Sequence, residues 1–427
     1  MSARTVISGL VATGILLMGL IMPAGAGIKV LQYNPDGTVK GIIDGNSNKK
    51  NKAPGGSSGS TKNGSKKFSP AAHYVEGELI VVNPSRHFEV SVKPLGFSII
   101  KKSQYASLGI SVLRLRTPAK YSVVEAKAYL SQKFPRLNVD ANHTFDITGT
   151  AANDRIENLQ LASYTVAPAG CGRGIRIGMI DGVVSVRHPA LAGQKIKYRR
   201  FNSKGVKSGP SGHGTAIAAM FVGKQPKLGL GGLLPEAELR AASVQEVSPA
   251  RKIVARASNI LNAIDWLISE NVHVINFNIA GADNQALRVA VERAQRKGVI
   301  MVAAVGNWGQ EAEAAFPAAY APVIAITAVD TKNRVYGRAN KGRYVDFAAK
   351  GVRIWAAKSN KGGNYVSGTS FATPMIASLI ATEKARNKKA SPQSMRSYLK
   401  AMSVDIDSTG KDSSSGWGLI DKPSLCK

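Results

Sequence analysis

From residue 174 onward, short and almost wholly apolar runs alternate with longer amphipathic ones, and few folds can house that alternation. The runs "IRIGMI" (175–180), "HVINFNI" (273–279), "GVIMVAAV" (298–305) and "VIAITAV" (323–329) offer little polar surface to water. Each therefore reads as a strand covered on both faces. Between them, "SNILNAIDWLISEN" (258–271) and "NQALRVAVERAQRKG" (284–298) read as helices. The alternation predicts an α/β architecture: a doubly wound, mostly parallel sheet with helices on both faces. In such sheets functional side chains gather at the carboxyl ends of the strands.

The chain ahead of this region is organised differently. Arg4, the apolar stretch "VISGLVATGILLMGLIM" and the small residues "AGA" at 24–26 read as a signal peptide over residues 1–26. The apolar stretch is also long enough for an uncleaved membrane anchor. Export to a secreted or periplasmic location follows from the first reading, membrane attachment from the second. Residues 27–70 read as a flexible basic linker, because "DGNSNKKNKAPGGSSGSTKNGSKKFSP" (44–70) has nothing with which to build a core. Residues 71–146 then form a patterned unit. "GELIVV" (77–82), "FSIIKK" (97–102), "SVLRLR" (111–116) and "RLNVDANHTF" (136–145) read as strands. "SVVEAKAYLSQKF" (122–134) reads as a helix whose apolar side holds Val124, Ala128, Leu130 and Phe134. The expectation is a small α+β domain of the ferredoxin-like class. Residues 147–170 look irregular and read as a junction ahead of a domain over 171–427.

The net charge is +30. Residues 1–160 hold 20 Lys and Arg against 10 Asp and Glu, a net of +10, which leaves +20 for the remainder. Charge spread along the whole chain, without an arginine-rich helix or interleaved aromatics, argues against nucleic acid as a partner. It suits acidic substrates or adherence to an anionic envelope surface. The two cysteines, Cys171 and Cys426, are either a disulfide between the ends of one exported domain or two free thiols. No His, Cys and carboxylate cluster has metal-ligand spacing, and no cofactor is expected.

Four polar residues carry chemistry. Asp181 ends the strand "IGMI", His213 lies in "SGHGTAIAAM", Asn307 in "VGNWG" and Ser370 in "GTSFATP". Singly each has an ordinary explanation: a turn aspartate, a helix-start histidine, a turn asparagine and a helix-capping serine. Together, all fall at strand ends or helix starts of one α/β domain, with spacings of 32 from Asp181 to His213 and 157 from His213 to Ser370. In that order the chain resembles the subtilisin-like serine proteases, whose serine, histidine and oxyanion motifs match "GTSFATP", "HGT" and "GN". The resemblance covers roughly residues 170–427 and implies peptide-bond hydrolysis of protein or peptide substrates through an acyl-enzyme. It casts Ser370 as nucleophile, His213 as base, Asp181 as its orienting acid, and Asn307 with the Ser370 N–H as oxyanion donors. It implies a substrate-binding strand at Asn278, Ile279 and Ala280, with Gly306 beside it. Residues 71–146 resemble the propeptide of such enzymes, which would be both folding aid and inhibitor.

Two departures stand out. The family has Asp-Ser/Thr-Gly at its acid, where this chain has Asp181-Gly182-Val183 and so lacks a hydroxyl beside the carboxylate. The substrate strand is Asn278-Ile279-Ala280 in place of Ser-Leu-Gly, which would narrow or polarise the adjoining pockets. These changes keep a second expectation open, a weak or inactive relative that binds peptides through the same strand.

Overall fold

A computed structural model describes residues 73–148, 150–151, 167–168, 170–421 and 425–426, and the backbone of 29–33 and 39–44. The signal segment 1–26 and most of the junction lie outside the described residues. The chain divides into two units, 1–65 and 66–427. The first corrects the linker expectation. Lys29–Tyr33 and Val39–Asp44 pair antiparallel, with Lys29 opposite Asp44 and Leu31 opposite Ile42. Val30 in the first strand and Val39, Ile42 and Ile43 in the second are strand-favouring residues, which the Gly/Ser/Lys composition further along obscured.

The second unit contains the expected parallel sheet. Its seven strands run, edge to edge, Phe347–Lys350, Val323–Val329, Ile300–Ala304, Val274–Phe277, Arg176–Asp181, Glu238–Ser243 and Ile196–Arg200. Every neighbouring pair is parallel. Helices cover both faces. Ile177 and Met179 join the core of helices Gly212–Val222 and Thr373–Arg386, whereas Ile180, Ile275 and Phe277 join that of helices Ala257–Ser269 and Gln285–Arg296. Continuous apolar strands are thus the sum of two alternating faces, each covered. From Arg176–Asp181 the chain first builds one side of the sheet and then crosses to Val274–Phe277 on the other. Asp181 stands at the carboxyl end of that switch point, where open α/β sheets place their sites.

Ahead of it, Tyr74–Val82, helix Arg86–Ser91, Ser98–Tyr105, Ile110–Arg116, helix Val123–Lys133 and Asn138–Ile147 follow one another as β-α-β-β-α-β. The sheet order is 138–147, 74–82, 110–116, 98–105, all antiparallel, which is the ferredoxin-like arrangement. The second helix turns a different face inward than periodicity suggested. Val123, Ala126 and Leu130 are buried, while Val124 is 61% exposed and Ala128 is exposed as well. The cause is its start: Ser122 and Glu125 close a capping box, and that box sets which residue begins the inward stripe.

This small sheet has two covered faces. Leu79, Val81, Leu113 and Leu115 pack with Phe88, Val123 and Leu130 of its own helices. Ile80, Val82, Ile110 and Val112 share a core with Ile260, Ile264 and Leu287 of the larger domain. Polar contacts fix the register. Gln285 N–H, at a helix N-terminus, donates to Asp140 Oδ2 at 2.8 Å, where a carboxylate complements the helix dipole. Leu108 N–H donates to Asp265 Oδ1 at 3.0 Å.

Cys171 and Cys426 are joined, closing a separation of 255 residues. Loop closure of that length restricts the unfolded chain, so replacing both by Ala should lower unfolding stability by about 2–5 kcal/mol. Reversible denaturation of the variant beside the oxidised parent measures this.

Candidate active site

Asp181 is fully buried, and its carboxylate is held by three donors. Gly182 N–H reaches Oδ1 at 2.5 Å, and Asn278 Nδ2 reaches Oδ2 at 2.8 Å. His213 Nδ1 lies 2.8 Å from Oδ1 and 3.1 Å from Oδ2. A carboxylate only accepts, so the proton of the neutral ring sits on Nδ1 and Nε2 carries the lone pair. That lone pair lies 2.8 Å from Ser370 Oγ. The serine hydroxyl therefore donates to a ring nitrogen whose lone pair is already oriented.

Local sequence explains each placement. His213 is the second residue of helix Gly212–Val222, and the adjacent Gly214 lies on the turn that follows Asp181. A Cβ at Gly214 would stand 2.6 Å from Val183 O, so any side chain there would push helix and acid apart. Ser370 lies in the turn Thr369–Phe371, just before helix Thr373–Arg386, with Pro374 in its first turn. Neither Thr369 nor Ser370 caps that helix. The serine is fully buried just ahead of that helix.

Asn307 follows the strand Ile300–Ala304. Its amide oxygen accepts from Thr369 N–H and Thr369 Oγ1, each at 3.1 Å, so its NH2 is the group left to donate. Asn307, His213 and Thr148 line one open cleft of roughly 410 Å³. Gly306, with φ of 104°, accepts from Asn340 N–H and from Thr369 Oγ1. It shapes the turn that carries Asn307.

The Asn278 side chain does not polarise a substrate pocket. It is buried and turned to the acid. Its oxygen accepts from Asn276 Nδ2 at 3.0 Å and Thr373 Oγ1 at 2.9 Å while its NH2 serves Asp181. The space beside Gly182 is filled by the Gln245 side chain, and the donor missing after Asp181 is supplied by Asn278, just past strand Val274–Phe277. Reading the motif alone missed this exchange, because the two residues are 97 positions apart.

The chain's own segment occupies the cleft. Thr144 and Phe145 pair antiparallel with Arg256 and Ala255 on one side, and Asp146 and Ile147 with Ala280 and Ile279 on the other. Thr148 N–H donates to Asn278 O at 3.1 Å, and Ser370 N–H donates to Thr148 O at 3.2 Å. Beyond it, Thr150 and Ala151 pair with Ser367 and Val366. The other histidines lie apart from this chemistry. His188 is fully buried, accepting from Ala190 N–H with one ring nitrogen and meeting Gly362 O with the other. His273 Nδ1 accepts from Arg176 N–H. Among the described residues no group of three His, Cys, Asp or Glu could hold a metal ion.

A model of the subtilase family matches residues 172–418. The chain belongs to the subtilase family. Minor extracellular protease Epr of Bacillus subtilis is 30% identical over 278 residues, 64% of this subtilase and 42% of Epr. Subtilisin Savinase of Lederbergia lenta is 30% identical over 244 residues, 56% of this subtilase and 86% of Savinase. Among solved structures, fervidolysin from Fervidobacterium pennivorans superposes with a TM-score of 0.68 at 19% identity, over 83% of this chain and 61% of that one. This subtilase thus spans under half the length of Epr and about three fifths of fervidolysin.

Proposed function

We propose that this subtilase is an exported serine endopeptidase, made as a precursor whose residues 71–146 fold against the catalytic domain and block it. The observation that carries this is the unbroken line from Asp181 through His213 to Ser370 Oγ, with a peptide carbonyl on the Ser370 N–H. Ser370 Oγ attacks that carbonyl as His213 takes its proton, and Asp181 stabilises the imidazolium that forms. The Ser370 N–H and the Asn307 NH2 receive the developing oxyanion. His213 then returns the proton to the leaving amine. Substrates lie extended between Ile253–Arg256 and Ile279–Ala280, bound by backbone pairing as an added strand. The signal-like segment 1–26 and the extracellular relative Epr support export. The basic surface favours acidic substrates or retention at an anionic envelope.

Labelling of the purified protein by a serine-reactive fluorophosphonate, together with hydrolysis of denatured casein, tests the reading. Loss of both in Ser370→Ala supports it, and a folded wild type that stays unlabelled after its N-terminal piece has been removed overturns it.

If residues 71–146 act as an inhibitor, their hold should weaken in mild acid. Buried His143 Nδ1 accepts from Asn284 Nδ2 at 2.9 Å, which requires an unprotonated nitrogen. Burial pushes its pKa below the usual 6.5, against an upward pull from Asp140 4.0 Å away and from Asp283, while Lys127 adds to the fall. The ring in the docked state therefore resists a proton that the released state accepts. Docking is at full strength above the free value and declines as pH falls through it. Inhibition by the added N-terminal piece should thus be weaker at mildly acidic pH than at neutral pH, and His143→Gln should flatten that difference.

A further inference from the structure

We infer that Ser370 cuts its own chain at one bond, between Thr148 and Gly149. The inference rests on the proteolytic function proposed above and assigns it a first substrate. Nothing in the motif pattern picks a bond from the irregular stretch 147–170. Hydrogen bonds do.

One contact on the Thr148 carbonyl and three on the chain around it hold this carbonyl in place. Its oxygen accepts from Ser370 N–H at 3.2 Å, the donor that an acyl-transfer site aims at the reacting oxygen. The Thr148 N–H is held by Asn278 O at 3.1 Å. Upstream, residues 144–145 are paired to Arg256 and Ala255 on one side and residues 146–147 to Ala280 and Ile279 on the other. Downstream, Thr150 and Ala151 are paired to Ser367 and Val366, three residues before the nucleophile. The chain is thus pinned on either side of one carbonyl. Slipping by one residue would break each of these pairings and turn alternate side chains to the wrong face.

The step balances without any added reagent but water. Ser370 Oγ bonds to the Thr148 carbonyl carbon while its proton passes to His213 Nε2. The bond from that carbon to the Gly149 nitrogen breaks, and the nitrogen leaves with the proton from His213. Water then hydrolyses the ester, giving a Thr148 carboxylate and free Ser370. The cut severs one covalent bond and leaves the contacts of strand Asn138–Ile147 in place, so residues up to 148 remain bound as a separate piece.

Thr148 also makes the inference specific. It is 3% exposed, and its hydroxyl is a buried polar atom without a hydrogen-bond partner. Its pocket therefore takes the side chain for its size and gains nothing from the oxygen. Thr148→Val should be cut at least as fast as the parent. Thr148→Pro loses the N–H held by Asn278 and misplaces the carbonyl, which should slow the cut about a hundredfold or more.

The experiment is refolding of the full chain with time points read by intact mass and N-terminal sequencing, beside Ser370→Ala, Thr148→Val and Thr148→Pro, with fluorophosphonate labelling in parallel. Support is a first new N-terminus at Gly149, co-elution of the two pieces, normal cutting of Thr148→Val and a stalled Thr148→Pro. Labelled Ser370 with an earliest N-terminus elsewhere, or a Thr148→Pro chain cut at the parental rate, overturns the bond and leaves the protease standing. A folded parent that neither cuts nor labels overturns both. Thr148→Val separates a folding fault from a chemical one, since it keeps the shape and the N–H.

Discussion

Ser370→Ala should fold, remain full length, and lose turnover of peptide substrates by on the order of a millionfold, the size of loss known for the same change in subtilisin itself. The hydroxyl is the only atom removed from a fully buried site, and the backbone N–H of residue 370 stays where it is. Whatever rate survives is what oxyanion donors and strand pairing supply without a nucleophile. His213→Ala should cost nearly as much, and the double variant little more than either alone, because the two side chains act as one unit. Additive losses would mean that Ser370 is activated by something other than His213. Single-turnover hydrolysis of a chromogenic peptide, with the N-terminal piece removed beforehand, measures all three variants.

The parallel sheet was legible because its strands are covered twice and so appear in sequence as runs of apolar residues. Val323–Val329 can be read off almost without choice. Helix Arg86–Ser91 was not, since six residues with a single buried side chain, Phe88, generate no period. The end of Asn138–Ile147 was equally hidden. Its last residues have partners at 255–256 and 279–280, more than a hundred positions on, and no local pattern announces them. Strand length there is decided by what the cleft pairs with, not by propensity.

The same divide runs through the candidate site. The residues that would react sit in short motifs at strand ends and helix starts, where type and order are visible. What holds them comes from elsewhere. The exchange of a missing hydroxyl beside Asp181 for the Asn278 amide looks in sequence like two unrelated departures, one suggesting a loosened acid and the other a changed pocket. In three dimensions they are one substitution of donor for donor. The disulfide has the same character: two cysteines 255 residues apart carry no sign of pairing beyond their number and an exported context.

That donor network makes Asp181→Asn the sharpest test of how the base is oriented, with an expected loss of about ten-thousandfold in kcat. The carboxylate accepts from Gly182 N–H and His213 Nδ1 on one oxygen and from Asn278 Nδ2 on the other. An amide has one oxygen for both duties. With its oxygen toward Gly182 and His213, its NH2 faces the NH2 of Asn278. Reversed, its NH2 faces Gly182 N–H and forces His213 Nδ1 to accept, which moves the ring proton to Nε2, where Ser370 needs a base. Asn278 cannot relieve the conflict by turning over, because its oxygen is claimed by Asn276 Nδ2 and Thr373 Oγ1. Adding Asn278→Asp resolves it. One oxygen of the carboxylate introduced at position 278 would accept from the NH2 of the amide at position 181, and the other would keep Asn276 and Thr373. The amide oxygen would then be held toward His213 in the productive tautomer. The double variant should therefore recover about tenfold over Asp181→Asn alone, though not the parental rate, since the negative charge has moved one hydrogen-bonded side chain further from the imidazolium. A double variant no faster than the single would mean that Asn278 merely fills space beside the acid. Measuring kcat and KM for the parent, both single variants and the double decides it, with KM expected to hold nearly constant because the backbone of residue 278 still carries the substrate strand.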